Sequence, residues 1–139
     1  MRTAVVITAS NRASRGEYAD LSGESLAKGL TALGYEVSGP HVVADSIDLI
    51  SEQLTVALAN KTRLIVTTGG TGVSPTDVTP EATAPFIEKI IPGFSEALRA
   101  HSREKLPTSD LTRGLVGTHG TSLIINLPGS QGAIKDGLV

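Results

Sequence analysis

The sequence predicts an α/β domain with a mostly parallel central sheet and helices on both faces. Short β-branched runs alternate with amphipathic stretches along most of the chain. Apolar residues make up 40% of the sequence but aromatics only 3%, so the core must be built from Val, Ile, Leu and Ala. The strand-like run at 63–67 opens directly into the glycine-rich segment TTGGTG at 67–72. Open α/β sheets bind their ligands where strands end in this way.

Residues 3–8 (TAVVIT) form a β-branched apolar run and read as the first, buried strand. Residues 9–21 are polar and carry no period, which predicts a long loop of the kind that is often functional. A helix follows over 23–33, with Ser22 as N-cap, Leu26, Leu30 and Leu33 on one face and Gly34 at the C′ position. A second strand covers 35–43, and a helix then runs to Ala59 with Ile47, Ile50, Leu54 and Leu58 aligned. Residues 63–67 give the third strand. Thr79-Pro80 predicts an N-cap with Pro at the first helical position, starting a helix to about Ile90. Pro92 and Gly93 break it, and a further helix covers 94–104. Residues 106–120, rich in Gly, Thr and Ser, read as a second functional loop. A last strand at 121–126 runs into the NLPG segment 126–129, and a final helix begins at Ser130 or Gln131.

No repeat or linker interrupts the 139 residues, so residues 1–139 are expected to form a single domain around one core. The net charge is −2 without a Lys/Arg cluster, which argues against a nucleic-acid groove. The lack of aromatic residues argues against base stacking. With no cysteine, disulfides, thiolate chemistry and zinc ribbons are excluded. No run approaches the ~20 apolar residues of a membrane span, and a cytoplasmic location without membrane contact is expected. His41, His101 and His119 lack metal-ligand spacing, and no G-x-S-x-G elbow is present.

The glycine segment is where chemistry is expected. Gly69, Gly70, Thr71 and Gly72 either cradle a phosphate with backbone N–H groups or form a plain tight turn. The segment is neither a P-loop nor a dinucleotide fingerprint. Asp77, stiffened between Pro75 and Pro80, places a carboxylate close by. A carboxylate beside phosphate calls for a cation, and Mg²⁺ is ordinarily held by one or two carboxylates plus phosphate oxygens. Asp45 follows another strand and could supply the second carboxylate, or it could cap the helix after it. Asp77 could likewise cap a turn. Arg12, in the loop with Ser10, Asn11, Asp20, Ser22 and Gly23, could fork onto an anion or lie solvated on the surface. The NLPG segment, with Asn126, Pro128 and Gly129, would form another wall or a type II turn.

Taken in order, residues 8–12 (TASNR), 20–23 (DLSG), 67–72 (TTGGTG), 77–82 (DVTPEA), 92–94 (PGF), 111–113 (LTR) and 127–129 (LPG) resemble the MoaB/Mog family of molybdenum cofactor biosynthesis. The gephyrin G domain is similar too. The resemblance implies a homotrimer that joins molybdopterin to Mg-ATP, giving adenylyl-molybdopterin and pyrophosphate, with a possible molybdenum-insertion partner protein. It implies that Gly69 to Gly72, with Asn126, Pro128 and Gly129 nearby, carry the nucleotide. Asp45 and Asp77 become the catalytic, metal-holding carboxylates, and Ser10, Arg12, Asp20, Ser22, Gly23 and Arg113 face the pterin. The alternative within the fold is a non-catalytic molybdopterin-binding scaffold. Asn11 stands where many members carry Asp, and the chain's last residue, Val139, falls inside the expected final helix, which would be cut short.

Overall fold

The computed structural model describes residues 2–103 and 111–129. Six strands form one sheet in the order β2-β1-β3-β6-β5-β4. Strands β1 (Thr3–Ala9), β2 (Glu36–Val43), β3 (Leu64–Thr68) and β6 (Ser122–Leu127) run parallel, whereas β5 (Val116–His119) and β4 (Lys89–Ile90) are antiparallel additions at one edge. The expected mostly parallel sheet is therefore present.

The helices are α1 (Asn11–Ser14), α2 (Leu21–Ala32), α3 (Ile47–Ala59), α4 (Thr79–Thr83) and α5 (Pro92–Arg103). Because strand side chains alternate between faces, each central strand feeds two cores. Ala4 and Val6 of β1, Leu64 and Val66 of β3, and Leu127 of β6 pack with Leu26 and Leu30 of α2, and Leu98 of α5 lies against this cluster. On the other face Ile7, Ala9, Ile65 and Ile124 pack with Ile50, Leu54 and Ala57 of α3 and Ala82 of α4. All of β3 is buried, as a central parallel strand should be.

Several expectations are corrected by local chemistry. The 9–21 stretch is not wholly irregular, since Ser10 caps the one-turn helix α1 by accepting from the Ala13 N–H. The next helix begins at Leu21 and not at Gly23, because Asp20, rather than Ser22, accepts the Gly23 N–H and acts as N-cap. Gly34 does occupy the left-handed position after that helix, at φ +97°. Ser46, not Asp45, caps α3 by accepting from Leu49 N–H. The helix expected to reach Ile90 stops at Thr83. Pro85 lacks an N–H to continue it, and the chain passes through a 3₁₀ turn (Ala84–Phe86) into β4. Helix α5 starts at Pro92. Within the expected 106–120 loop, Val116–His119 is a strand, joined to β6 by a tight turn at Gly120 (φ +58°). The expected final helix from residue 130 lies outside the described residues.

Candidate functional site

Parallel strands all end at the same sheet edge, so the segments following β1, β2, β3 and β6 converge there. The glycine loop after β3 is held in place from several sides. Gly69 N–H donates to the Leu127 carbonyl (3.0 Å), and Thr79 N–H donates to the Gly70 carbonyl (3.1 Å). The Thr79 hydroxyl donates to the Gly69 carbonyl (3.0 Å), and the Thr68 hydroxyl to the Pro128 carbonyl (3.1 Å). Gly69 and Gly70 sit at φ +92° and +69°, a region that L side chains avoid. A Cβ on Gly69 would stand 2.3 Å from the Ala9 carbonyl oxygen, and one on Gly129 would stand 3.2 Å from the Gly69 Cα. The loop is thus wedged between the ends of β1 and β6.

Two carboxylates flank it. Asp45 and Asn11 hold each other reciprocally: the Asn11 N–H donates to Asp45 Oδ2 (3.1 Å), and the Asp45 N–H donates to Asn11 Oδ1 (2.9 Å). Asp45 Oδ1 is buried and receives no hydrogen bond from any described residue. It faces Gly70, whose absent Cβ would lie 3.3 Å from it. Burial pushes the Asp45 carboxyl above its ordinary value, the Asn11 N–H opposes this, and the negative charge of Asp77 adds to it. Asp77 lies beside Gly72, and its Oδ2 accepts the Ser74 N–H (3.0 Å). A Cβ on Gly72 would stand 2.8 Å from the same oxygen.

A buried carboxylate oxygen without a donor is costly. A hard cation bound between two carboxylates and phosphate oxygens would satisfy it. No group of three or more His, Cys, Asp or Glu is placed for metal binding among the described residues.

A pocket of about 270 Å³ is lined by Ser10, Tyr18, Asp20, Ser22, Gly69 and Gly129 among others. Its walls are braced internally. The Thr8 hydroxyl donates to Asp20 Oδ2 (2.7 Å), the Ser22 hydroxyl donates to the Gly129 carbonyl (2.7 Å), and the Ser10 and Tyr18 hydroxyls meet at 3.1 Å. Gly23 is buried against the Thr8–Asp20 pair, and a Cβ there would collide with both Asp20 Oδ2 (2.2 Å) and the Thr8 hydroxyl (2.4 Å), so the position requires glycine. Arg12 is exposed and lies over the Tyr18 ring, 5.0 Å from its centroid.

Of the residues expected at the site, Ser10, Asp20, Ser22, Gly69 and Gly129 line this pocket, whereas Gly23 packs against Asp20, Gly70 against Asp45 and Gly72 against Asp77. Two residues are placed otherwise than the sequence suggested. Arg113 sits behind the glycine loop, where its backbone N–H donates to the Thr71 carbonyl and its side chain holds Gly72, Asp77 and Glu81. Asn126 turns its amide into the core, donating to the Thr67 (2.9 Å) and Thr83 (3.2 Å) hydroxyls and accepting from Leu115 N–H (3.1 Å). Tyr18, Thr8, Thr79 and Glu81 were not expected at the site, although Thr8, Thr79 and Glu81 lie within the family-like motifs and Tyr18 is the one aromatic residue of its loop. Thr79, expected as an N-cap, is instead the first residue of α4 after Val78.

Comparison with known proteins bears on this cleft. The family described as "Probable molybdopterin binding domain" matches residues 5–139. A protein of Helicobacter pylori named molybdopterin adenylyltransferase is 42% identical over 135 residues, covering 94% of this chain and 76% of its own length. The solved molybdopterin biosynthesis Mog protein of Mycobacterium ulcerans superposes with a TM-score of 0.93 at 44% identity, over 99% of this chain and 90% of that one. The tungsten cofactor synthesizing protein MoaB of Pyrococcus furiosus gives 0.91 at 33% identity, over 99% and 88%.

Proposed function

The chain belongs to the molybdopterin-binding domain family, and from that premise we propose that it is a molybdopterin adenylyltransferase of molybdenum cofactor biosynthesis. It would join ATP and molybdopterin into adenylyl-molybdopterin and pyrophosphate. The observation that carries this reading is the unpaired, buried Asp45 Oδ1 facing Gly70, with the charge of Asp77 felt across the loop. A scaffold that only bound pterin would have no use for two carboxylates beside the glycine loop.

The terminal phosphate oxygen of molybdopterin attacks the α-phosphorus of ATP. A new P–O bond forms to the pterin phosphate, the bond to the β-phosphate oxygen breaks, and pyrophosphate leaves with the electron pair. Anion meets anion, so catalysis is a matter of positioning and charge. Gly70, Thr71 and Gly72 present backbone amides to the nucleotide phosphates, Gly69 shapes the loop while its own N–H is held by the Leu127 carbonyl, and Pro128 and Gly129 close the wall. Ser10, Arg12, Asp20, Ser22 and Gly23 form the pterin side, where the 270 Å³ pocket lies. Asp45 and Asp77 would hold Mg²⁺, which when bound neutralises charge that builds up on the phosphates. No side chain has to act as a covalent nucleophile.

The working form would be a cytoplasmic homotrimer that passes its product to a molybdenum-insertion partner. The exposed apolar side chains of Ile90 (63%) and Phe94 (39%), where β4 meets α5, support burial of that surface between copies. Among the described residues, no helix is long and apolar enough to cross a membrane. The test is chromatography after incubating the protein with molybdopterin, ATP and Mg²⁺. Mg²⁺-dependent adenylyl-molybdopterin supports the reading, and pterin binding without product would replace it with a scaffold.

A further inference from the structure

We infer that Arg113, oriented by Glu81, is a positioning residue that sets the Asp77 carboxylate for cation binding while itself touching no substrate. The inference rests on the reading of Asp77 as a cation ligand. The segment from Gly72 to Asp77 has little else to hold it: residues 73–76 are all exposed, and Val73 is 67% accessible. Arg113 closes it like a clip. Its Nε donates to the Gly72 carbonyl (2.8 Å) and its Nη2 to the Asp77 carbonyl (3.0 Å), so one planar group pins both ends of the segment. Its backbone N–H donates to the Thr71 carbonyl (2.8 Å), which extends the hold into the glycine loop.

Inside the clip the chain folds on itself. Asp77 N–H donates to the Ser74 carbonyl (2.9 Å), and Asp77 Oδ2 accepts the Ser74 N–H (3.0 Å). The carboxylate is therefore aimed by the loop, and the loop is fixed by Arg113. Glu81 holds the remaining edge of the guanidinium, taking Nη1 at 2.6 Å and Nη2 at 3.2 Å. This pairing selects the orientation in which Nε and Nη2 reach the two carbonyls. A lysine, with a single compact ammonium, cannot span Gly72, Asp77 and Glu81 together.

Mn²⁺ titration followed by electron paramagnetic resonance reads cation affinity without turnover, at a temperature where every variant is folded. Arg113→Gln and Arg113→Lys should each weaken Mn²⁺ binding about tenfold or more, the range found when the partner orienting a metal ligand is lost. Glu81→Gln should weaken it by a smaller factor. Saturating Mg²⁺ should restore most of the turnover of Arg113→Lys, giving a raised metal requirement and a largely retained kcat. A merely structural role would lower the melting temperature and leave the metal titration unmoved, which overturns the inference. If Arg113 variants do not fold, Glu81→Gln decides, and wild-type Mn²⁺ affinity there overturns it. Asp77→Asn is the control: loss of Mn²⁺ binding upholds the ligand, whereas retained binding removes the premise.

Discussion

Replacing Gly69 by alanine separates two costs that the glycine loop combines. The first is conformational, since φ +92° lies where an L residue costs ~1–2 kcal/mol. The second is steric, since the new Cβ would stand 2.3 Å from the Ala9 carbonyl oxygen, so the ends of β1 and β3 must move apart by roughly an ångström. Overpacking of this kind costs ~1–3 kcal/mol. Gly16 provides the internal reference, because it has a similar φ of +74° and an added methyl there would meet nothing within 4 Å. Gly16→Ala should therefore lose ~1 kcal/mol, part of the strain being offset by the stiffer unfolded chain. Gly69→Ala should lose ~2–4 kcal/mol, and adenylyl transfer should fall on the order of a hundredfold, as expected for a misplacement of about 1 Å. Urea unfolding of both variants, at matched slopes, measures the difference. If Gly69→Ala proved no less stable than Gly16→Ala, the wedged-loop account would be refuted.

Asn126→Ala removes three side-chain hydrogen bonds from a residue that is 3% exposed. At about 1 kcal/mol each, the loss is roughly 3 kcal/mol and the melting temperature should fall on the order of 10 °C in calorimetry; a fall of only a degree or two would contradict the buried role. Burial raises the Asp45 carboxyl above 3.8, so from 3.8 up to its folded value the native state binds more protons than the unfolded chain. Stability contributed by that group therefore falls as pH rises through the window and stays lower above it. Asp45→Asn should gain on the metal-free wild type between about pH 3.5 and pH 7, and Mg²⁺ should raise the unfolding midpoint of the wild type alone. A stability gap that is the same at both pH values would contradict this.

The central strands β1 and β3 were legible because burial on both faces demands uninterrupted β-branched runs, as in residues 3–8 and 63–67, whereas β4 and β5 were expected as helix and loop. The cleft was legible in outline because Gly69, Gly70 and Asp77 sit where strand ends must meet. What stayed hidden depended on partners distant in sequence. Ser22 looks like a cap, but its hydroxyl is drawn to the Gly129 carbonyl 107 residues away, and Asp20 does the capping. Asp45 looks like a cap too, but Asn11 holds it 34 residues away in sequence, leaving the role to Ser46. Nothing local says that Arg113 will reach Glu81, 32 residues earlier, or that Asn126 will turn inward. The early end of α4 was readable in Pro85, and the β5–β6 turn in Gly120.

Isotopic ATP distinguishes transfer of the α-phosphate from transfer of the γ-phosphate. With molybdopterin and Mg²⁺ present, label in the α-phosphate should appear in the pterin product and label in the γ-phosphate should appear only in pyrophosphate. Both transfers should be absent in Asp77→Asn despite an intact fold. Label from the γ-phosphate in the pterin product, or undiminished α-label transfer by Asp77→Asn, would contradict the account.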